Sequence, residues 1–289
     1  MRSGGGRHHW RASRSFAVTG KSRFPRFQDQ SASPRLPAEL SVLLKFFMTF
    51  CIGIKVREGL IALADTKIVR GDEHIIRSKL SSTQTDDDHW WMMTSGLRSV
   101  RDKAMLYLDH DLRQSKEQFT RLFQIANRYG VQLRRARVED GPSLAASNLA
   151  FNSHALIGGK IRGDLEPYMF YIYPEGNWVE STEDSPYFII GRTHYAKPIL
   201  DRLLTFNTPL RQALALAFLA FESTSSSVTD VGYPVDVIVN DARTGIVNRH
   251  RFSAADLEPL ARWWNEAMAK ALAEFPFDPF RSLFDFPSN

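Results

Sequence analysis

Cysteine occurs once in 289 residues, as Cys51. A single thiol excludes an intramolecular disulfide framework and any cysteine-rich zinc site, and it suits a reducing compartment. No run of about 18 apolar residues is present, the least that a bilayer-spanning helix requires. The nearest stretch, 40–56, is interrupted by Lys45. Phosphate-loop glycines and Cys/His zinc spacing are also missing. Asp86-Asp87-Asp88-His89 reads as a solvated acidic loop rather than a metal site, and Asp109-His110-Asp111 lies on an expected helix, where neighbouring side chains point apart. The expectation is a soluble, cytoplasmic protein with no metal and no organic cofactor.

Net charge is small over most of the chain and concentrated at one end. Lys and Arg number 37 against 32 Asp and Glu, a formal net charge of +5. Residues 1–47 hold nine basic and two acidic residues, so that segment is +7 and the remaining 242 residues are −2. A basic globular body reading nucleic-acid backbone is therefore disfavoured. The segment 1–47 is rich in Arg, Ser and Gly, lacks sustained periodicity, and is expected to be a disordered extension. It reads as a transit-type peptide, as a basic arm, or as upstream sequence translated in frame with the true start at Met48. The residues beyond Met48 favour the last.

From Met48 the pattern becomes regular. Thr49 to Val56 alternates, with Phe50, Ile52, Ile54 and Val56 on one face, which predicts a half-buried strand. Arg57-Glu58-Gly59 supplies a turn, and 60–66 is a second apolar run ending in Ala64-Asp65-Thr66. Paired as a hairpin, the two strands bring Asp65 beside Thr49. Methionine before a small residue is the kind of start that aminopeptidases trim, and trimming would give Thr49 a free α-amine. Such a residue holds nucleophile and base together, the amine having an unperturbed pKa of about 7.7–8.0. With residues 1–47 attached, that nitrogen is an amide and cannot act as a base. From these two residues alone, an ordinary internal dipeptide remains the simpler reading.

Four blocks, in order, resemble proteasome-type β-subunits, most closely the bacterial Anbu (ancestral β-subunit) branch. They are Met48-Thr49-Phe50-Cys51-Ile52-Gly53-Ile54-Lys55 with Glu58 to Thr66, Gly191-Arg192-Thr193-His194 through Arg202, Glu222-Ser223-Thr224 through Val231 to Asp236, and Arg249-His250-Arg251-Phe252 with the Trp263-Trp264 helix. The resemblance spans 48–289 and none of 1–47. It implies an α+β, N-terminal-nucleophile hydrolase fold, a four-layer αββα sandwich with two antiparallel sheets. The domain expectation is an extension at 1–47, a β-subunit-like domain at 48–274 and an aromatic, proline-rich tail at 275–289.

Periodicity supplies its own element list. It predicts a strand at 89–94, helices at 97–112 and 143–156, strands at 167–173 and 187–190, a helix opened by Pro198, a helix over 210–221, and strands at 235–239 and 246–248. The last helix starts at Ser253 with Asp256 three residues on, and is expected to bury Leu257, Leu260, Trp264 and Met268.

Carried over residue by residue, the resemblance implies Thr49 as nucleophile, Asp65 as the strand-end carboxylate and Lys79 as the lysine that tunes the attacking group, with Lys67 as the alternative. Gly96, in Met92-Met93-Thr94-Ser95-Gly96-Leu97, matches the oxyanion-hole donor. Arg192 stands where these subunits have a supporting serine, and of the supporting Asp and Ser that the resemblance implies before Gly232, Asp230 or Ser227 is the expected substitute. Cys51 reads as an apolar filler. The implied function is a threonine endopeptidase acting on peptides or unfolded chains as a homo-oligomeric ring or helical assembly, without nucleic-acid or membrane partners. A non-catalytic scaffold and a small-molecule amidase on the same fold are the alternatives. The tail phenylalanines suggest a subunit contact or packing on their own domain.

If this reading holds, mass spectrometry of the working protein finds an N-terminus at Thr49. A stable intact chain from Met1 would remove both enzyme readings.

Overall fold

A computed structural model of the chain describes residues 49–70, 73–85, 87–114 and 119–284. The expectations for 1–47, for Met48 and for the end of the tail at 285–289 lie outside the described residues.

The first two strands form where the alternation predicts, but the first is buried on both faces instead of one, because its second face packs against another sheet. β1 (Phe50–Val56) and β2 (Gly59–Asp65) pair antiparallel, with Cys51 opposite Ala64 and Val56 opposite Gly59. The strands after them are β3 (Lys67–Arg70), β4 (Glu73–Ile76), β5 (Leu80–Gln84), β6 (His89–Gly96), β7 (Ser153–Lys160), β8 (Tyr168–Ile172), β9 (Trp178–Glu180), β10 (Tyr187–Gly191), β11 (Val235–Asp241) and β12 (Val247–Phe252). One antiparallel sheet runs β10-β1-β2-β11-β12 and a second runs β5-β6-β7-β8-β9, with β3-β4 a separate hairpin.

The alternation along each strand explains the layering, because both faces of both sheets are apolar and each must be covered. Phe50, Ile52, Ile54, Leu63 and Val237 face the helices α3 (Lys197–Leu203) and α4 (Leu210–Ser225). Met92, Ala155, Ile157, Phe170 and Ile172 face α1 (Arg98–Gln114) and α2 (Leu122–Ala146). Between the sheets lie Cys51, Leu60, Ala62 and Ile238 against Trp91, Met93, Leu156 and Met169. The result is the αββα sandwich that the resemblance implied, with Cys51 fully buried as filler.

Two expectations fail. The stretch 143–156 is not one helix: α2 ends at Ala146 and Ser153 opens β7. The helix lies earlier because Leu122, Ile125, Ala126, Tyr129, Leu133 and Ala136 recur at spacings of three and four and bury one stripe against the second sheet. Gly130 and Pro142 inside α2 obscure that stripe to a propensity reading. The final helix, α5 (Ala254–Ala273), starts at the expected Ser253–Asp256 capping box but buries only Leu257. Met268 is 45% exposed and Trp264 half-buried, because α5 packs on the edge strand β12 and runs beyond it. The tail residues Phe275, Phe277, Phe280 and Phe284 are exposed and touch one another, Phe275 stacked on Phe280 and the pairs Phe275–Phe277 and Phe277–Phe284 edge to face.

The separation of the two sheets depends on small residues. A Cβ at Gly158 would sit 2.3 Å from Cζ2 of the buried Trp91. Gly158→Ala is therefore expected to lower stability by about 1–3 kcal/mol, read as a lower urea midpoint at unchanged m-value.

Candidate active site

The cluster is built where β1, β2 and β10 end together. The partner of Phe50 on β10 is Gly191, and the Thr49 carbonyl accepts the Arg192 N–H at 2.8 Å. That contact requires glycine at 191. Its φ is +98°, and an added Cβ would lie 1.9 Å from the Thr49 oxygen. Thr49 is itself buried.

On the other side of β1, the Phe50 N–H donates to Asp65 Oδ1 at 2.8 Å. The Lys79 ammonium donates to the same oxygen at 2.6 Å and to the Lys67 carbonyl at 2.7 Å. Asp65 and Lys79 are almost completely shielded, with side chains 0% and 2% exposed. Breaking such a pair from one side costs about 3–5 kcal/mol, because a charge is left buried alone. Burial pushes the Asp65 pKa up to about 6, against the Lys79 charge and the Phe50 hydrogen bond, which both pull it down. Asp65 Oδ2 is buried without a hydrogen-bond partner among the described residues.

Lys67 points elsewhere. Its Nζ donates to the Thr229 carbonyl at 2.5 Å, so only its main-chain oxygen takes part in the cluster. Of the two lysines weighed from sequence, Lys79 is the one beside Asp65.

Gly96 ends β6 with φ +105°. The Leu97 N–H donates across to Asn152 and the Thr94 N–H donates to the Lys79 carbonyl. By the two-residue alternation of an antiparallel ladder, the Gly96 N–H points to the Lys79 side, past the residue where β5 begins. Asp65 and Lys79 are thus joined directly to each other and, through the Phe50 N–H, to the residue after Thr49, while Gly96 follows two residues after Thr94, whose N–H bonds to the Lys79 carbonyl.

Arg192 forms an ion pair with Asp230, its Nη2 and Nε lying 2.7 and 3.1 Å from Oδ2. Ser227 instead donates its hydroxyl to the Ser223 carbonyl at the end of α4. Asp230 is therefore the residue that meets Arg192. Its Oδ1 is buried and unpartnered among the described residues.

Three side chains that sequence reasoning did not single out reach the cluster. Ser78, Asp236 and Arg251 form a chain of contacts ending beside Lys79. The available signal was Asp236 itself, an acid at a buried position of the apolar run Val235–Val239. The Cys51 thiol is held far above its usual pKa by burial, which keeps it uncharged. A cavity of about 350 Å³ lies along the outer edge of β10, lined by Tyr187, Ile189, Thr193 and Lys197 among others, and its lining includes none of Thr49, Asp65, Lys79 and Gly96.

Among the described residues, no group of three or more His, Cys, Asp or Glu is placed to hold a metal ion. No described helix is long and apolar enough to cross a membrane.

The proteasome subunit family matches residues 49–239. Among solved structures, the chain is similar to a Gly-1 mutant of Anbu from Hyphomicrobium sp. strain MC1, at 30% identity and TM-score 0.71, covering 79% of this chain and 98% of that one. It is similar to Anbu from Yersinia bercovieri at 26% identity and TM-score 0.72, with coverage of 79% and 98%. A helical assembly of the Anbu complex from Pseudomonas aeruginosa matches at 27% identity and TM-score 0.73, with coverage of 79% and 97%. No curated protein matches the chain.

Asp65 holds its proton to higher pH in the folded chain than in the unfolded one. Its contribution to stability is greatest below about pH 4 and is lost as pH rises through about 6. Carboxyl NMR is expected to find Asp65 titrating near pH 6, and higher still in Lys79→Met, which removes a charge that pulls the value down. A carboxyl that titrates below about pH 4 in the parent would contradict this account.

Proposed function

Because the chain belongs to the proteasome subunit family, on its Anbu branch, we propose that it is a threonine peptidase whose nucleophile is Thr49 once everything before that residue is gone. The observation that carries this reading is the junction at Asp65 Oδ1. One buried oxygen takes the N–H of the residue next to Thr49 and the ammonium of Lys79. The family match begins at Thr49, which supports the same boundary.

Free of its predecessors, Thr49 carries hydroxyl and amine on one residue. The amine accepts the hydroxyl proton as the oxygen attacks an amide carbonyl. The positive charge of Lys79 favours the deprotonated nucleophile, and Asp65 holds that charge in place. The Gly96 N–H donates to the oxyanion that forms on the carbonyl. The amine returns the proton to the leaving nitrogen, and water then hydrolyses the acyl ester by the reverse sequence of proton transfers. No step calls for a metal or cofactor. Substrates are peptides or unfolded chains, the protein works as a homo-oligomer, and its site is cytoplasmic. The helical assembly described for the Pseudomonas aeruginosa relative supports self-association.

A second reading, a non-catalytic assembly subunit, is favoured by one observation. Arg192 and Asp230 engage each other where related subunits carry a short hydroxyl in support of the nucleophile.

The test is labelling of a chain beginning at Thr49 with an electrophile selective for N-terminal threonine. The expected result is a single adduct at Thr49 and peptide turnover. Both are abolished in Thr49→Ala, retained in part in Thr49→Ser, and absent when residues 1–48 remain attached. A folded chain with free Thr49 and no adduct would favour the scaffold, and turnover of small amides alone would favour the amidase.

A further inference from the structure

Lys79 does not stand within a strand. It lies in the irregular segment 77–79 between β4 and β5, so the sheet ladder does not by itself fix the direction of its side chain. A cluster outside the residues already assigned closes around this segment. Asp236 on β11 is 2% exposed and lies directly opposite Arg251 on β12. Arg251 grips it with both ends of the guanidinium, Nε to Oδ1 at 2.6 Å and Nη2 to Oδ2 at 2.9 Å. The Ser78 hydroxyl lies 2.6 Å from Asp236 Oδ2 and 2.7 Å from the Leu80 carbonyl. Its single proton goes to the carboxylate, the charged and stronger acceptor, while its oxygen accepts the Leu80 N–H at 3.2 Å.

This arrangement folds the backbone of Ser78 and Leu80 around Lys79 and fastens it to the first sheet. Arg249, two residues before Arg251 and on the same face of β12, adds contacts to Ser82 Oγ at 3.1 Å and to the Leu80 carbonyl at 3.5 Å. The edge strand of one sheet thus braces the edge strand of the other at the point where Lys79 departs. Asp236 is buried at the centre of this chain of contacts while the Arg251 side chain is 47% exposed, and a buried carboxylate with both oxygens hydrogen-bonded is held in one orientation. The chain of contacts ends at the residue before the lysine.

We propose that Ser78 and Asp236, the latter held by Arg251, are positioning residues that set the Lys79 ammonium against Asp65. Neither touches the reacting atoms, and the assignment rests on the reading of Thr49 as nucleophile. It is separable from that reading, because it predicts where Lys79 sits whether or not the protein turns over.

The decisive variant is Ser78→Ala, which leaves the Asp236–Arg251 pair intact and so spares the fold. Two readouts are independent of turnover. In a crystal structure the Lys79 Nζ to Asp65 Oδ1 distance is expected to lengthen from 2.6 Å, and carboxyl NMR is expected to find Asp65 titrating higher as the ammonium withdraws. In the chain beginning at Thr49, kcat for peptide hydrolysis and the rate of Thr49 acylation are expected to fall by about 10- to 100-fold, the scale of a small misplacement in a preorganised site. KM is unchanged, and the acidic limb of the pH–rate profile moves to higher pH. Ser78→Thr, which restores the hydroxyl, recovers the parent values. If Ser78→Ala leaves the Lys79–Asp65 distance and the Asp65 titration unchanged, the proposal is overturned. If the lysine moves while even the parent shows no acylation, the positioning role stands and the hydrolase reading falls.

Discussion

One oxygen atom, Asp65 Oδ1, joins three successive segments of the chain, its partners lying 15 and 14 residues away on either side. It accepts from the backbone at the start of β1 and from a lysine on the far side of the β3-β4 hairpin, and it is itself carried on the end of β2. A carboxylate and an ammonium buried this deeply gain little net stability over a well-packed apolar pair, since desolvation offsets most of their attraction. Their value lies in direction. With the sandwich closed around them, neither group has water to turn to, so each fixes the other. The sheets, the glycine at 191 and the tight turn between β1 and β2 all serve to bring that oxygen to its two donors.

The periphery of the cluster is made of arginine–aspartate pairs. Arg192 meets Asp230 on one side, and Arg251 meets Asp236 on the other. A guanidinium holds several donors in a rigid plane and cannot lose its charge, so each pair holds its carboxylate in one orientation. Asp236 is accordingly held below the usual carboxylate range by Arg251 and Ser78 despite its burial. Asp65, whose cation has a single point of contact with it, goes the other way. The contrast between the two acids, set a few residues apart in the folded chain, arises from the chemistry of their partners.

Much of this was legible before any coordinates. Strict alternation over 49–56 and the turn at Arg57-Glu58-Gly59 specify the hairpin, and the hairpin register alone brings Asp65 to the start of β1. The resemblance supplied Lys79, but composition and spacing could not choose between it and Lys67, because the choice depends on which way each side chain leaves its backbone. Lys67 turns to the Thr229 carbonyl, a contact 162 residues away in sequence. Long-range facts of this kind also account for the misplaced second helix. The buried stripe of α2 is visible only once Gly130 is seen packing against the Gly176 backbone instead of breaking the helix. Exposure of Met268 was likewise unreadable, since helical spacing says which residues share a face and not whether anything covers it.

The Thr49 carbonyl is gripped by the Arg192 amide, and the N–H of the next residue by Asp65. Both anchors lie on the C-terminal side of the Thr49 α-carbon, and neither involves the nitrogen that would become the base. On the proposed reading, loss of the preceding residues would change the chemical identity of one atom and leave these two contacts in place. Maturation on that reading would be a change of functional group in a mould that the neighbouring strands already hold.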